Sequence, residues 1–264
     1  MRLFFVALQF LTRIHIVKQD SWTAEDFGRS TRFFPLVGLV QGVIYLIFAW
    51  VLLALLGQSA FFASLMLILT IIITGGLHYD GFMDTMDGLF SARNRECMLK
   101  IMKDSRVGSY GALAAICLIL LQWSLLRDID TDFIMMALYI MPIIGRMGMV
   151  LVIASFPYAR PEGLGKAFAE MTDKKTLIVA GSTTIAAIIP LGIVAEASLI
   201  AGLLAAYLFG RYSASKLGGV TGDVYGAAEL LAETAVMGSL CVLGSNFYDL
   251  CQACLEILRC NFGY

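Results

Sequence analysis

From Leu36 to Leu56 the chain reads LVGLVQGVIYLIFAWVLLALL, an unbroken apolar run without one charged residue. A helix rises about 1.5 Å per residue, so roughly 20 such residues cross a hydrocarbon core about 30 Å thick. In lipid every backbone amide and carbonyl must pair within the protein, which makes helix the expected form of each crossing segment. Comparable runs follow at Ala60 to Gly75, Ala112 to Leu126, Phe133 to Ser155, Leu177 to Val194, Leu199 to Gly210 and Ala235 to Tyr248. The sixth is short and spans only by recruiting flanking residues such as Ala197 and Arg211, or in a locally thinned bilayer. The chain therefore predicts an all-α, polytopic integral membrane protein with about seven transmembrane helices, six if that segment does not cross. Hydrophobic residues at 59% and charged residues at 15% exclude a soluble domain, in which about a quarter of residues are charged.

The amino-terminal stretch MRLFFVALQFLTR has the charged start and short apolar core of a signal peptide. No small-residue cleavage site follows it, so a retained interfacial helix is expected. Six cysteines show no spacing of a disulfide framework, and the C-x-x-C at Cys251 and Cys254 lacks the second pair or βαβ context that would make it a metal or redox site. With a net charge of −1 and no basic stripe, nucleic acid is excluded as a partner. No repeat or low-complexity linker divides the chain, and residues 1–264 are read as one transmembrane domain.

Charge placement sets the orientation. Arg2, Arg13, Lys18, Arg29 and Arg32 precede the first span, and Arg93, Arg95, Lys100, Lys103 and Arg106 lie between the second and third. Arg160, Lys166, Lys174 and Lys175 lie between the fourth and fifth, and Arg211 and Lys216 between the sixth and seventh. These sixteen fall on one side if all seven spans cross, against Arg127 and Arg259 on the other. Basic residues stay in the cytoplasm, so the amino terminus is expected inside.

The strongest local signal is GGLHYDGFMDTMDGLF, Gly75 to Phe90. At 100° per residue, Asp80, Asp84 and Asp87 share an arc of roughly 60° on one helix face. Three carboxylates so close raise one another's proton affinity unless a cation joins them, and hard oxygen ligands suit Mg²⁺ or Mn²⁺. Mg²⁺ takes one or two protein carboxylates and completes its shell with water and substrate phosphates, which points to a diphosphate substrate. The plainer alternative is a solvated helix end paired with the basic stretch that follows.

That stretch, RNRECMLKIMKDSRVGSYGALA, either meets anionic lipid or holds phosphates. Arg106 is the sharper candidate, because Gly108 and Gly111 open the helix start and a guanidinium grips phosphate in a fork. A second polar group, GGVTGDVYGAAELLAE, carries Asp223, placed to cap a helix, and Glu229 and Glu233 on one face at i and i+4. The two glutamates suggest a further metal or substrate contact at the foot of the last span. Arg146 lies inside the fourth span and Arg160 follows it; an arginine at membrane depth faces a polar cavity or an ionic partner.

The blocks GGLHYDGFMDTMDGLF and IMKDSRVGSYGALA resemble the signature of the cobalamin (5′-phosphate) synthase family, also called adenosylcobinamide-GDP ribazoletransferases. FLTRI at Phe10, FFPLVGLVQG at Phe33, ARPEGLG at Ala159 and GGVTGDVYGAAELLAE resemble further family blocks in the same order, so the likeness covers nearly the whole chain. His15 stands where the family usually has proline, and the tail CQACLEILRCNFGY has no family counterpart. The resemblance implies a Mg²⁺-dependent, multi-pass enzyme of the prokaryotic inner membrane. Its substrates would be adenosylcobinamide-GDP and α-ribazole or α-ribazole 5′-phosphate, and its second product GMP. The oligomeric state stays open, a homo-oligomer included.

Carried onto this chain, Asp80, Asp84, Asp87 and Asp223 hold the metal. Asp104 or a free member of the cluster, Asp84 foremost, takes a proton from the attacking ribose hydroxyl. His78, Lys103, Ser105, Arg106, Arg146, Arg160, Glu229 and Glu233 meet substrate. Two rival readings are a CDP-alcohol phosphotransferase and a secondary transporter. The Ala-Arg that should follow Asp-Gly-x-x in the first is absent, and the polar motifs crowd one face instead of the midplane used by the second.

Overall fold

The structure, a computed structural model, describes residues 2–18 and 22–262, with side chains in the last helix described through residue 244. Among the described residues there are twelve α-helices and no strand beyond one isolated bridge. They are α1 (Arg2–Leu11), α2 (Ala24–Ser30), α3 (Phe34–Leu56), α4 (Ala60–Thr74), α5 (Leu77–Phe90), α6 (Arg95–Ile101), α7 (Ser109–Asp128), α8 (Thr131–Ser155), α9 (Leu164–Met171), α10 (Lys174–Ile188), α11 (Ile193–Leu217) and α12 (Gly222–Phe262). Six helical segments are long and apolar enough to cross a membrane, and α4 with α5 makes a seventh if the bent pair is one span. Trp50, Leu55, Ile178 and Ile200 are among the large apolar side chains left on the outside, the surface that lipid covers.

Helix α8 is the axis of the bundle. Its apolar stretch is 78% buried, against 22% for that ending α3 and 33% for α11. Helix α3 lies directly on it because Gly38 and Gly42 carry no side chain where the carbonyls of Pro142 and Tyr139 pass. Small residues spaced by four let two membrane helices approach backbone to backbone, gaining dispersion contacts where lipid offers no hydrophobic drive.

The structure fixes the ends of three spans. The sixth recruits its flanking residues as expected: α11 runs 25 residues from Ile193 to Leu217 and takes in both Ala197 and Arg211. The last helix starts at Gly222 instead of Ala235, so Asp223, Glu229 and Glu233 lie inside the span and not ahead of it. The second span breaks. Gly75 and Gly76 take left-handed φ values of +64° and +73°, which cost side-chain-bearing residues steric strain, and α5 leaves α4 at 89°. Cys251, Cys254 and Cys260 lie outside the described side chains.

Candidate active site

The bend at Gly75 and Gly76 turns α5 against the start of α12 and against α7, where the polar motifs meet. Gly81 lets α5 approach α12 so closely that a methyl there would stand 3.0 Å from the carbonyl oxygen of Asp223. Two loops close the other wall: Val220 N–H donates to Pro157 O and Ala159 N–H to Val220 O, both at 2.8 Å. Arg95 Nε donates to Leu217 O at 2.6 Å and Nη2 to Ala159 O at 3.3 Å, fastening α6 under the same loops. This framework delivers Arg160 to Asp223, Nη2 to Oδ2 at 2.8 Å, with Thr221 Oγ1 donating to the same oxygen at 3.2 Å.

A cleft of about 450 Å³ opens between these elements. Asp80, Lys103, Arg160, Glu162 and Asp223 form its polar wall, and Phe10, Met149, Tyr158, Phe168 and Tyr225 its apolar one. Partial burial pushes the Tyr158 phenol up, so it enters as a neutral O–H donor. His78 lines the cleft and, at its rear, a small enclosed space shared with Arg146, Glu229 and Glu233.

Of the three acids expected on one face of α5, Asp80 is exposed to the cleft and Asp84, one turn on, is half-buried within electrostatic reach of Asp80, Asp223 and Arg160. Asp87 turns elsewhere: its two oxygens accept the backbone N–H groups of Gly108 and Gly111, each at 2.7 Å. Those amides open α7, whose own N-cap, Gly108, offers no side chain. Asp87 thus caps α7 from the neighbouring helix, its charge set against the positive end of the dipole. Gly108 and Gly111, expected to make room for a ligand, make room for this carboxylate. Asp87→Asn leaves an NH₂ facing an N–H donor and is expected to lower stability by about 1–3 kcal/mol, read by melting in detergent.

The remaining expected residues fall into two further groups. Arg106 Nη2 pairs with Asp104 Oδ2 at 2.6 Å on the exposed loop before α7, and Arg106 Nε meets the same carboxylate at 3.0 and 3.2 Å. These bonds hold the Asp104 carboxyl down at about 2, so it is a weak proton acceptor, and neither residue lines the cleft. Ser105 is exposed beside them. Arg146, Glu229 and Glu233 are buried behind the cleft instead of lining it as phosphate or substrate contacts. Arg146 Nη1 contacts Glu229 Oε1 and Glu233 Oε1, while Arg146 Nη2 lies 3.4 Å from His78 Nε2. Tyr158, Glu162 and Tyr225 are cleft residues that sequence reasoning did not single out, although Glu162 stands in ARPEGLG and Tyr225 in GDVYG.

Among the described residues no three His, Cys, Asp or Glu side chains converge into a closed metal cage. Mg²⁺ needs none, since it commonly uses one or two protein carboxylates with water and phosphate oxygens. Asp80 on α5 and Asp223 on α12 line the cleft, with Asp84 one turn on from Asp80, and two carboxylates completed by water and phosphate oxygens are a donor number that Mg²⁺ commonly uses.

The sequence pattern of the cobalamin-5-phosphate synthases matches residues 3–241. An adenosylcobinamide-GDP ribazoletransferase from Desulfitobacterium hafniense is 38% identical over 242 residues, covering 88% of this chain and 94% of the relative. Those from Clostridium acetobutylicum (37% over 245 residues, 91% of each chain) and Escherichia coli (36% over 247 residues, 90% and 99%) are similarly alike. No solved structure matches the chain.

Proposed function

The chain belongs to the cobalamin-5-phosphate synthase family, and from that membership we propose that it joins adenosylcobinamide-GDP to α-ribazole or its 5′-phosphate with release of GMP. The observation that carries this reading is the Arg160–Asp223 pair, which sets a second acidic element against Asp80 and Asp84 with cations at hand. Such a mixture suits a diphosphate: Lys103 and Arg160 meet its oxygens, and the apolar wall receives the bulk of the donor. Asp80, Asp84 and Asp223 would hold Mg²⁺, which when bound supplies charge neutralisation for the leaving phosphate.

A ribose hydroxyl oxygen of the acceptor attacks the phosphorus on the cobinamide side. The bond from that phosphorus to the GMP oxygen breaks, GMP departs, and the hydroxyl proton passes to a carboxylate of the cluster. With Asp104 held low by Arg106 and away from the cleft, Asp80, which lines it, is the acceptor in position, and Asp84 stands one turn on along α5. Helix α5 and the Arg160–Asp223 pair act by position, holding the groups before the substrates arrive.

The sixteen-to-two asymmetry of basic residues supports an orientation with this cleft on the cytoplasmic side of the prokaryotic inner membrane and the amino terminus inside. One experiment tests reaction and side together. Inside-out membrane vesicles carrying the protein, given adenosylcobinamide-GDP, an acceptor and Mg²⁺, are expected to release GMP, and sealed right-side-out vesicles to release none. Release by right-side-out vesicles alone would reverse the orientation, and no release by either would reject the reaction.

A further inference from the structure

The cleft holds one polar group that no other residue answers. Tyr225 is 1% exposed and lines the apolar wall, yet its hydroxyl has no hydrogen-bond partner among the described residues. Burying an O–H without a partner costs stability, and a ligand that accepts from it recovers that loss on binding. Its neighbour Tyr158 is not in this state. The two rings lie 6.5 Å apart at 38°, and the Tyr158 phenol is engaged by Arg160 and by the backbone of Gly222.

The aromatic wall is held in place. A side chain at Gly165 would come 2.6 Å from Tyr158 Cε2 and one at Gly163 3.0 Å from the Tyr158 hydroxyl oxygen, so the turn into α9 presses on the ring. Gly163 makes that turn with a left-handed φ of +122°. Phe168 on α9 packs on Phe10 at 5.2 Å and on Phe34 at 5.6 Å between ring centroids. Faces fixed in advance take a flat ring at small entropic cost. At the open side of the same cleft Glu162 is exposed, and no described residue pairs with it. Lys166, one turn on and its natural partner, is taken by Pro161 O at 3.0 Å and by Glu170 at 3.8 Å.

Volume decides which part of the donor comes here. A space of about 450 Å³ takes one group of drug size, and a corrinoid is several times larger, so the nucleotide end is the part that fits. Guanine carries N–H groups on one edge and the acceptors O6 and N7 on another, and so uses both a carboxylate and an O–H donor. The benzimidazole of α-ribazole has one ring nitrogen to accept and no N–H to give, and would leave Glu162 idle.

We propose that this cleft is the guanine subsite for the donor, in which Glu162 accepts from the N–H edge of the base and Tyr225 O–H donates to its acceptor edge, so that these two residues select guanine over other purines. The inference rests on the transfer reaction proposed above, whose diphosphate Lys103 and Arg160 meet in the same cleft. Glu162 and Tyr225 touch the base and not the reacting phosphorus, and their effect falls on donor affinity and selectivity.

The test titrates the purified full chain in detergent with GMP, IMP and AMP in the presence of Mg²⁺, for wild type, Glu162→Ala and Tyr225→Phe. IMP lacks the amino group of guanine, and AMP presents a bare ring nitrogen where guanine has an N–H. Wild type is expected to bind GMP about 10-fold or more tighter than IMP, with AMP weakest. Glu162→Ala should lose roughly 10- to 100-fold on GMP and bring the three nucleotides within about threefold of one another. Tyr225→Phe should weaken GMP and IMP together by about 3- to 10-fold, keep their ratio, and melt at or above the wild-type temperature, because the hydroxyl has no partner to lose. A wild type that binds the three alike or binds none, a Glu162→Ala that keeps the ratios, or a Tyr225→Phe that binds GMP normally or melts well below wild type would each overturn the inference. GMP release by the same variants supplies one more arm: losses confined to the KM for α-ribazole would give the cleft to the acceptor base and overturn it too. Wild-type protein that binds GMP selectively but releases none from adenosylcobinamide-GDP would remove the reaction and leave the guanine site standing.

Discussion

Asp84→Asn is expected to lower GMP release by a factor of about 10² or more while the protein still folds, because electrostatic stabilisation of a leaving phosphate commonly carries that much rate. Asp84 is the half-buried acid between Asp80 and the start of α12, within reach of Asp223 and Arg160 and set apart from the capping duty that engages Asp87. Asparagine keeps the size and one acceptor oxygen but removes the charge by which a hard cation is held. A solvated acid paired with a neighbouring cation would lose only about 0 to 1 kcal/mol of stability and no turnover. GMP release measured against Mg²⁺ concentration, with melting in detergent beside it, separates the two. Near-normal turnover with unchanged Mg²⁺ dependence in well-folded Asp84→Asn would refute the metal site.

The sequence makes the number and order of the spans legible because membrane crossing is a constraint on length and polarity, both local properties. It does not show where the helices stop being straight. The bend after Thr74 needs two successive left-handed glycines, and Gly75-Gly76 reads equally well as a flexible end to a span. The start of α12 is hidden for a related reason: Asp223, Glu229 and Glu233 make its first turns look like a loop until their partners are known.

The site divides along the same line. Helical periodicity puts Asp80, Asp84 and Asp87 on one face, but which of them a ligand meets depends on what lies opposite. Asp87 meets backbone amides, donors that have no signature in a sequence. The i, i+4 spacing of Glu229 and Glu233 makes them face together, and Arg146 at membrane depth demands an ionic partner. That these two demands answer each other, 83 and 87 positions apart in the chain, is a fact of helix packing between α8 and α12. Arg106 and Asp104, two residues apart, make the reverse case: each looked like part of the chemistry, and their nearness in sequence is what pairs them in solvent.

Arg146→Leu is expected to destabilise the fold by roughly 3–5 kcal/mol, the usual cost of removing one partner from a buried ionic group. Arg146 is 1% exposed and its Nη1 serves both Glu229 and Glu233, so its loss leaves two carboxylates facing each other with no cation between them. The cost comes chiefly from the stranded acids, and it should shrink when they are neutralised in place. Arg146→Leu combined with Glu229→Gln and Glu233→Gln is therefore expected to melt closer to wild type than Arg146→Leu alone, although it carries three changes instead of one. Activity should not return with stability. His78 reaches from the cleft to Arg146, its Nε2 3.4 Å from Nη2, and without the guanidinium the ring loses this contact with α8 at the back of the cleft. Melting of all three proteins in detergent, read beside GMP release, distinguishes a structural ion group from a substrate contact. An Arg146→Leu protein that melts like wild type would mean that the glutamates find protons or water in place of the arginine, and would sink the argument. A triple variant that regains both stability and turnover would show that His78 needs no support from behind.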